Sequence, residues 1–308
     1  MRHVMTLAAS ATMLVALTAC GDDSPESSAT TETSTETSTE DCPESTDAVV
    51  SETGGGPRRL LELSPTPGTT QAFDMTMNLD IAVESDGTDM GSQSSPPITL
   101  GMKVTVDRVE DDEIEMTFVY DDISVEGGDP AIQSQLDPMI GVSGTLTTTR
   151  NGAFIDGSLD DPEGLDPTLA TLVDQMEQQM ASFSFPLPTE PVGVGGAWSV
   201  DTSFELSGVV SCTHTTYRLR SFDGQNYELE TTVDQELLPG AIDQAGASVE
   251  VVGGGGTIQG TSTGSLTFPM ALESSARGTT RTEMTVDADG EEHSQNLTTN
   301  VEVNLTRR

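Results

Sequence analysis

The sequence predicts a mainly β domain of the α+β kind: a strongly curved antiparallel sheet or half-barrel, with two or three helices packed on its concave side. Three observations predict it. Long runs alternate apolar and polar residues with period two, turn-forming segments separate those runs, and two Asp-Pro pairs each open an apolar stripe at helical spacing. Thr, Val and Gly are abundant, which suits pleated strands and many turns.

The first alternating run places Phe73, Met75, Met77, Leu79, Ile81 and Val83 on one face of a long strand. Ile98, Leu100, Met102, Val104 and Val106 repeat the pattern, and so do Ile114, Met116, Phe118 and Tyr120. Between those two, Glu110-Asp111-Asp112-Glu113 reads as a polar hairpin turn. Strands near Gly144 to Thr149 and Ala153 to Ile155 meet at Asn151-Gly152, a favoured two-residue turn. Asp129-Pro130 opens a helix through Ile132, Leu136 and Ile140. Asp166-Pro167 opens a second, whose stripe is Leu169, Leu172, Val173, Met176 and Met180. The Pro- and Gly-rich stretch 185–197 fits neither a central strand nor a helix and forms a pivot, followed at once by the sole tryptophan, Trp198.

Beyond the pivot, strands run through Trp198, Val200, Phe204 and Leu206, then Val210 and Cys212, then Tyr217 and Leu219. Tyr227, Leu229 and Val233 follow an Asp223-Gly224 turn. Leu238 to Gly246 reads as a short third helix and Gly253 to Gly256 as a loop. Leu266 to Leu272, the run through Met284 and Val286, and Leu297 to Leu305 complete about eleven strands. Each half has long strands broken by an insert, which hints at two related halves around the pivot.

Of the 308 residues, the first fifty-odd belong outside the folded part. Met1-Arg2-His3 is a short positive segment, and Met5 to Leu17 an apolar run too short to span a membrane, the pattern of a signal peptide over 1–19. Residues 20–57 form an acidic, Thr- and Ser-rich tether with too few apolar residues to fold. The single β-rich domain is placed at 58–308. The formal charge is −39, with Lys103 the one lysine, so nucleic acid is excluded as a partner and self-repulsion favours a soluble monomer.

No catalytic constellation emerges, and the chain is expected not to be an enzyme. Gly260-Thr261-Ser262-Thr263-Gly264 spells a nucleophile elbow, but a strand follows it where the elbow needs a helix. Gly253 to Gly256 lacks the lysine of a phosphate loop. His214 and His293 have no partners at metal-ligand spacing, and the 287–292 acidic turn lacks calcium-loop spacing. No metal or cofactor is expected. The inward faces are rich in methionine: Met75, Met77, Met102 and Met116 on strands, and Met176 and Met180 on the covering helix. Methionine adapts to flexible apolar ligands, although it also serves as plain core filling.

Leu17-Thr18-Ala19-Cys20, directly after the apolar run, resembles the lipobox of bacterial lipoproteins. That resemblance implies cleavage between Ala19 and Cys20, lipidation of Cys20, and retention on the extracytoplasmic face of a cell membrane. Export leaves Cys42 and Cys212 in a disulfide-permitting compartment. They form a disulfide, or Cys212 is a buried thiol on the face shared by Trp198 and Phe204. Pro186-Leu187-Pro188 through Pro191-Val192-Gly193-Val194 to Trp198 is similar to the central signature of a family of uncharacterised bacterial lipoproteins. In architecture alone the layout resembles half-barrel lipid carriers of the LolA and LppX/LprG type. These resemblances imply a membrane-anchored protein that binds or carries a hydrophobic ligand. The alternative is a structural or protein-interaction module with a solid core.

Overall fold

The computed structural model describes residues 42–43, 48–127, 130–160, 185–206, 208–244, 247–288 and 291–308. In chain order its elements are β1 (Val49–Glu52), β2 (Gly55–Arg59), β3 (Thr70–Ser85), β4 (Thr88–Ser94), β5 (Ile98–Glu110) and β6 (Glu113–Val125). Helix α1 (Pro130–Leu136) and a 3-10 turn, Asp137–Met139, precede β7 (Ser143–Thr149), β8 (Phe154–Leu159) and β9 (Val192–Val194). Then come β10 (Ala197–Leu206), β11 (Val209–Phe222), β12 (Asn226–Leu237), β13 (Gly240–Gln244), β14 (Ala247–Ser265), β15 (Phe268–Ala288) and β16 (Glu291–Arg307).

Strand dominates, as the period-two runs require. One antiparallel sheet of 14 strands follows the order β1-β10-β11-β12-β14-β15-β16-β3-β5-β6-β7-β8, with β13 paired to β14 and β4 to β3. It does not close, since β1 and β8 stand at its two ends, and β2 pairs with β9 apart from it. The hairpins at Glu110–Glu113, Asn151–Gly152 and Asp223–Gly224 all form between antiparallel neighbours. Asp111 and Gly152 take the positive φ such turns need.

The join between the two halves is β16 on β3. Its register sets Leu305 opposite Met75, Val303 opposite Met77 and Val301 opposite Leu79. A slip of one residue would turn this apolar row to the opposite face, so burial fixes the pairing. The two wings then share one core. Val104, Ile114, Met116 and Leu146 from one wing lie in the same buried cluster as Trp198, Tyr217, Leu219, Tyr227 and Leu229 from the other. Two irregular straps run between the wings. Leu61 and Leu63 from the first, and Leu187 from the second, are buried. Their backbone amides are tied down: Leu63 N–H to Arg150 O at 2.7 Å, Ser64 N–H to Leu266 O at 2.6 Å, Leu187 N–H to Asn151 O at 2.6 Å. The pivot is therefore a core element. Trp198 donates its indole N–H to Pro186 O at 2.9 Å.

Several expectations need correction. Among the described residues only one short α-helix appears, α1, rather than two or three helices. The stripe carrying Met176 and Met180 lies outside the described residues. The described part of the expected 238–246 helix, 238–244, forms none: β13 pairs there with β14, and Ile242 packs against Val249, Met284 and Val286. Two flanking glycines and the absence of a repeating helical stripe leave the ladder as the better partner for its backbone. Gly253 to Gly256 is no loop but the middle of β14. Glycine is needed there because the neighbouring strand is too close: a Cβ at Gly256 would lie 2.1 Å from Thr279 O. The end of the stretch assigned to the tether from composition, 49–57, contains β1 and most of β2. Arg218 holds β1 through Glu52 at 2.9 Å, and its guanidinium keeps the Glu52 carboxyl below its usual pKa.

Candidate apolar cavity

Between the wings lies a cavity of about 270 Å³. Methionines of three adjacent strands build one wall: Met75 on β3, Met102 on β5 and Met116 on β6. They meet because Met102 pairs with Phe73 and Tyr120, and Leu100 with Met75, so the inward rows of successive strands stay in step. Phe118, Tyr120, Leu146 and Leu159 extend this wall, and Met270, Ala271, Ser274, Val303 and Leu305 form the adjoining floor. Phe185 of the pivot strap also lines it, set edge-on to Tyr217 at 4.9 Å and parallel to Tyr227 at 6.2 Å.

The space exists because the floor is built of small residues. Cross-strand rows through β12, β14, β15 and β16 read Thr231-Gly260-Ala276-Val303 and Leu229-Ser262-Ser274-Leu305. At Gly264 the ring of Tyr227 lies directly on the backbone, where a Cβ would come within 2.3 Å of it. Phe118 covers Gly144 in the same way on the opposite wing. Aromatic rings folded over glycines hold the walls while the glycines between them leave room.

None of the described residues that line it is charged. The ions of this wing sit on the other face of β3, β5 and β6. There Lys103 pairs with Asp121 at 3.0 Å, Arg308 with Asp74 at 3.0 Å, and Arg308 also with Asp121. Burial pushes the Asp121 carboxyl up, but hydrogen bonds from Lys103 and Arg308 outweigh it and hold its pKa below the ordinary value. Inside, burial raises the Tyr120 phenol to about 12.

Of the methionines read as lining, Met75, Met102 and Met116 do line the cavity. Met77 shares their face, opposite Ile98 and Val303, but stands outside the lining. Met176 and Met180 lie outside the described residues, as do Ala19 and Cys20. Met284, on an inward row, joins a separate cluster with Val249 and Val286. Sequence reasoning missed Phe185 and the small-residue floor. The Pro-rich context hid the first, and the second shows only once β12, β14 and β15 are in register.

Cys42 and Cys212 are bonded as a disulfide, with Cα atoms 5.4 Å apart. Cys212 does not share the face of Trp198 and Phe204, because Tyr217 pairs with Trp198 and Ser211 with Phe204, which puts Cys212 on the other side of β11. The alternation restarts across the β10–β11 turn, so it could not be carried through it. Ser262 of the G-x-S-x-G spelling sits inside β14, hydrogen-bonded between β12 and β15, without the exposed turn an elbow requires. His214 pairs with Asp201 at 2.6 Å and His293 with Asp86 at 2.9 Å, both on exposed strand surface. Among the described residues no His, Cys, Asp and Glu cluster could hold a metal, and no helix is long and apolar enough to cross a membrane. Comparison with protein-family models and with curated proteins finds no match to this chain.

Proposed function

We propose that this chain is a lipid-anchored, extracytoplasmic protein that binds or carries a hydrophobic ligand between the wings of a curved, half-barrel sheet. Cys20, at the end of the lipobox-like Leu17-Thr18-Ala19-Cys20, carries the lipid, and the domain works as a monomer beside the membrane. The observation that carries the ligand reading is the cavity of about 270 Å³ whose described lining is uncharged and includes Met75, Met102, Met116 and Met270. Its size is near the lower end of ligand sites, roughly 300–1,000 Å³. It exceeds the roughly 150 Å³ engineered cavity that admits benzene. Four flexible thioethers around this space suit a flexible apolar occupant.

The test is titration of the full chain carrying Cys20→Ser with 1-aminoanthracene, a neutral fluorophore. Saturable binding is expected. Ala271→Leu, which fills the floor, should abolish it while leaving the strand circular dichroism intact. Undiminished binding by Ala271→Leu would move the site elsewhere, and absent binding by the parent chain would return the protein to the interaction-module reading.

A further inference from the structure

The apolar inner face of the sheet does not stop at the cavity. Beyond Met75, β3 carries Met77, Leu79, Ile81 and Val83 on the same face. The register of β16 sets Val303, Val301 and Leu297 opposite Met77, Leu79 and Val83. On β15 the matching inward positions are Ala276, Gly278 and Thr280. Met75, Val303, Leu305 and Ser274 line the cavity, so these rows lead directly out of it. From Met75 to Val83 the strand rises about 27 Å, at ~3.4 Å per residue.

Nothing among the described residues covers this extension. Met77, Leu79, Ile81 and Val301 are half-buried, and none of them packs against a buried cluster. An antiparallel sheet ordinarily packs its apolar face on a core and leaves the polar one to water. The polar face is present here: Asp80, Glu84, Glu302, Arg277 and Arg281 are exposed on the other side of the same strands. The inward rows from Met77 to Val83 carry no charge on β3, β16 or β15. A second copy of the chain is a poor cover, because bodies with a formal charge of −39 repel one another. An uncharged hydrocarbon chain meets no such repulsion, and the face is continuous with a cavity suited to one.

Resting on the hydrophobic-ligand reading above, we propose that the ligand is a lipid whose acyl chain is longer than the cavity, and that the chain leaves the cavity along a trough on the inner face of β3, β16 and β15. The methyl end lies among Met75, Met102 and Met116, and the head group lies toward Val83 and Leu297. The dimensions fit a membrane lipid. Its acyl chain spans about 15 Å, half of a ~30 Å hydrocarbon core, which the trough accommodates in full.

The test is displacement of 1-aminoanthracene from the full Cys20→Ser chain by decanoyl and hexadecanoyl lysophosphatidylcholine, both below micelle-forming concentrations. The hexadecanoyl lipid should displace at least about tenfold more effectively, because its added carbons are also taken out of water. Leu79 and Val301 face each other across β3 and β16 without lining the cavity. Leu79→Gln and Val301→Gln, made separately, should each weaken the hexadecanoyl lipid by about three- to tenfold and leave the decanoyl lipid unchanged. Agreement of the two variants guards against a folding defect in one. Equal displacement by the two lipids, or no effect of either variant on the longer one, overturns the trough while the cavity reading stands. Displacement by neither lipid overturns both.

Discussion

Tyr120, Tyr217 and Tyr227 are the only tyrosines in the chain, and all are buried around or beside the cavity. Burial raises the Tyr120 phenol to about 12 and pushes Tyr217 and Tyr227 above the ordinary tyrosine range. In the unfolded chain each would ionise near pH 10. A folded pKa above the unfolded one means the stabilisation is complete below about pH 10 and is lost as pH climbs toward and past 12. Phenolate absorbance should therefore stay flat through pH 10 and rise together with loss of the strand signal. A tyrosine that titrates near pH 10 in the folded protein would contradict its burial. The alternation that put Tyr120 on an inward row was legible in the sequence, because period two needs only local information. The face of Cys212 was not, because parity is lost at every turn of unknown length.

Among the elements, β14 and β13 were the hardest to read. Four consecutive glycines look like a loop, and only the closeness of β12 and β15 on either side explains why a strand requires them. The 185–197 stretch was rightly read as neither helix nor central strand, yet its role as a buried strap with Leu187 and Phe185 in the core depends on contacts with β7 and β11 that local pattern does not encode. The Cys42–Cys212 disulfide pins the chain ahead of β1 to the outer face of β11 across a separation of 170 residues. In the chain-entropy account a loop of that length is worth roughly 4–5 kcal/mol. The Cys42→Ser, Cys212→Ser double variant should fold with a markedly lower denaturant midpoint and a somewhat steeper slope, because the uncrosslinked denatured chain exposes more surface. An unchanged midpoint would show that β1 and its Glu52–Arg218 pair already hold this end of the chain.

At the scale of the molecule, the sequence carried the mainly β class and most of the long strands, but it missed β1, β2, β4, β9, β13 and β14 and did not carry the strand order. The C-terminal β16 lies between β15 and the early strand β3, and this one pairing unites both halves in a single sheet with a common core. The cavity arises from the same pairing, since it brings Val303 and Leu305 beside Met75 and sets the small residues of β14 and β15 as a floor. Three of its methionines were visible in advance because alternation selects a face. Its volume was not, because empty space belongs to packed neighbours and to no residue alone. The central claim is that this space holds a hydrophobic molecule. It is tested most directly by mass spectrometry of an organic extract of the purified Cys20→Ser chain, in which no covalent lipid can contribute. The account predicts a long-chain lipid recovered in near-equal amount to the protein, and its loss in the Ala271→Leu chain. An extract free of lipid, from a protein whose melting temperature no added lipid raises, would contradict it.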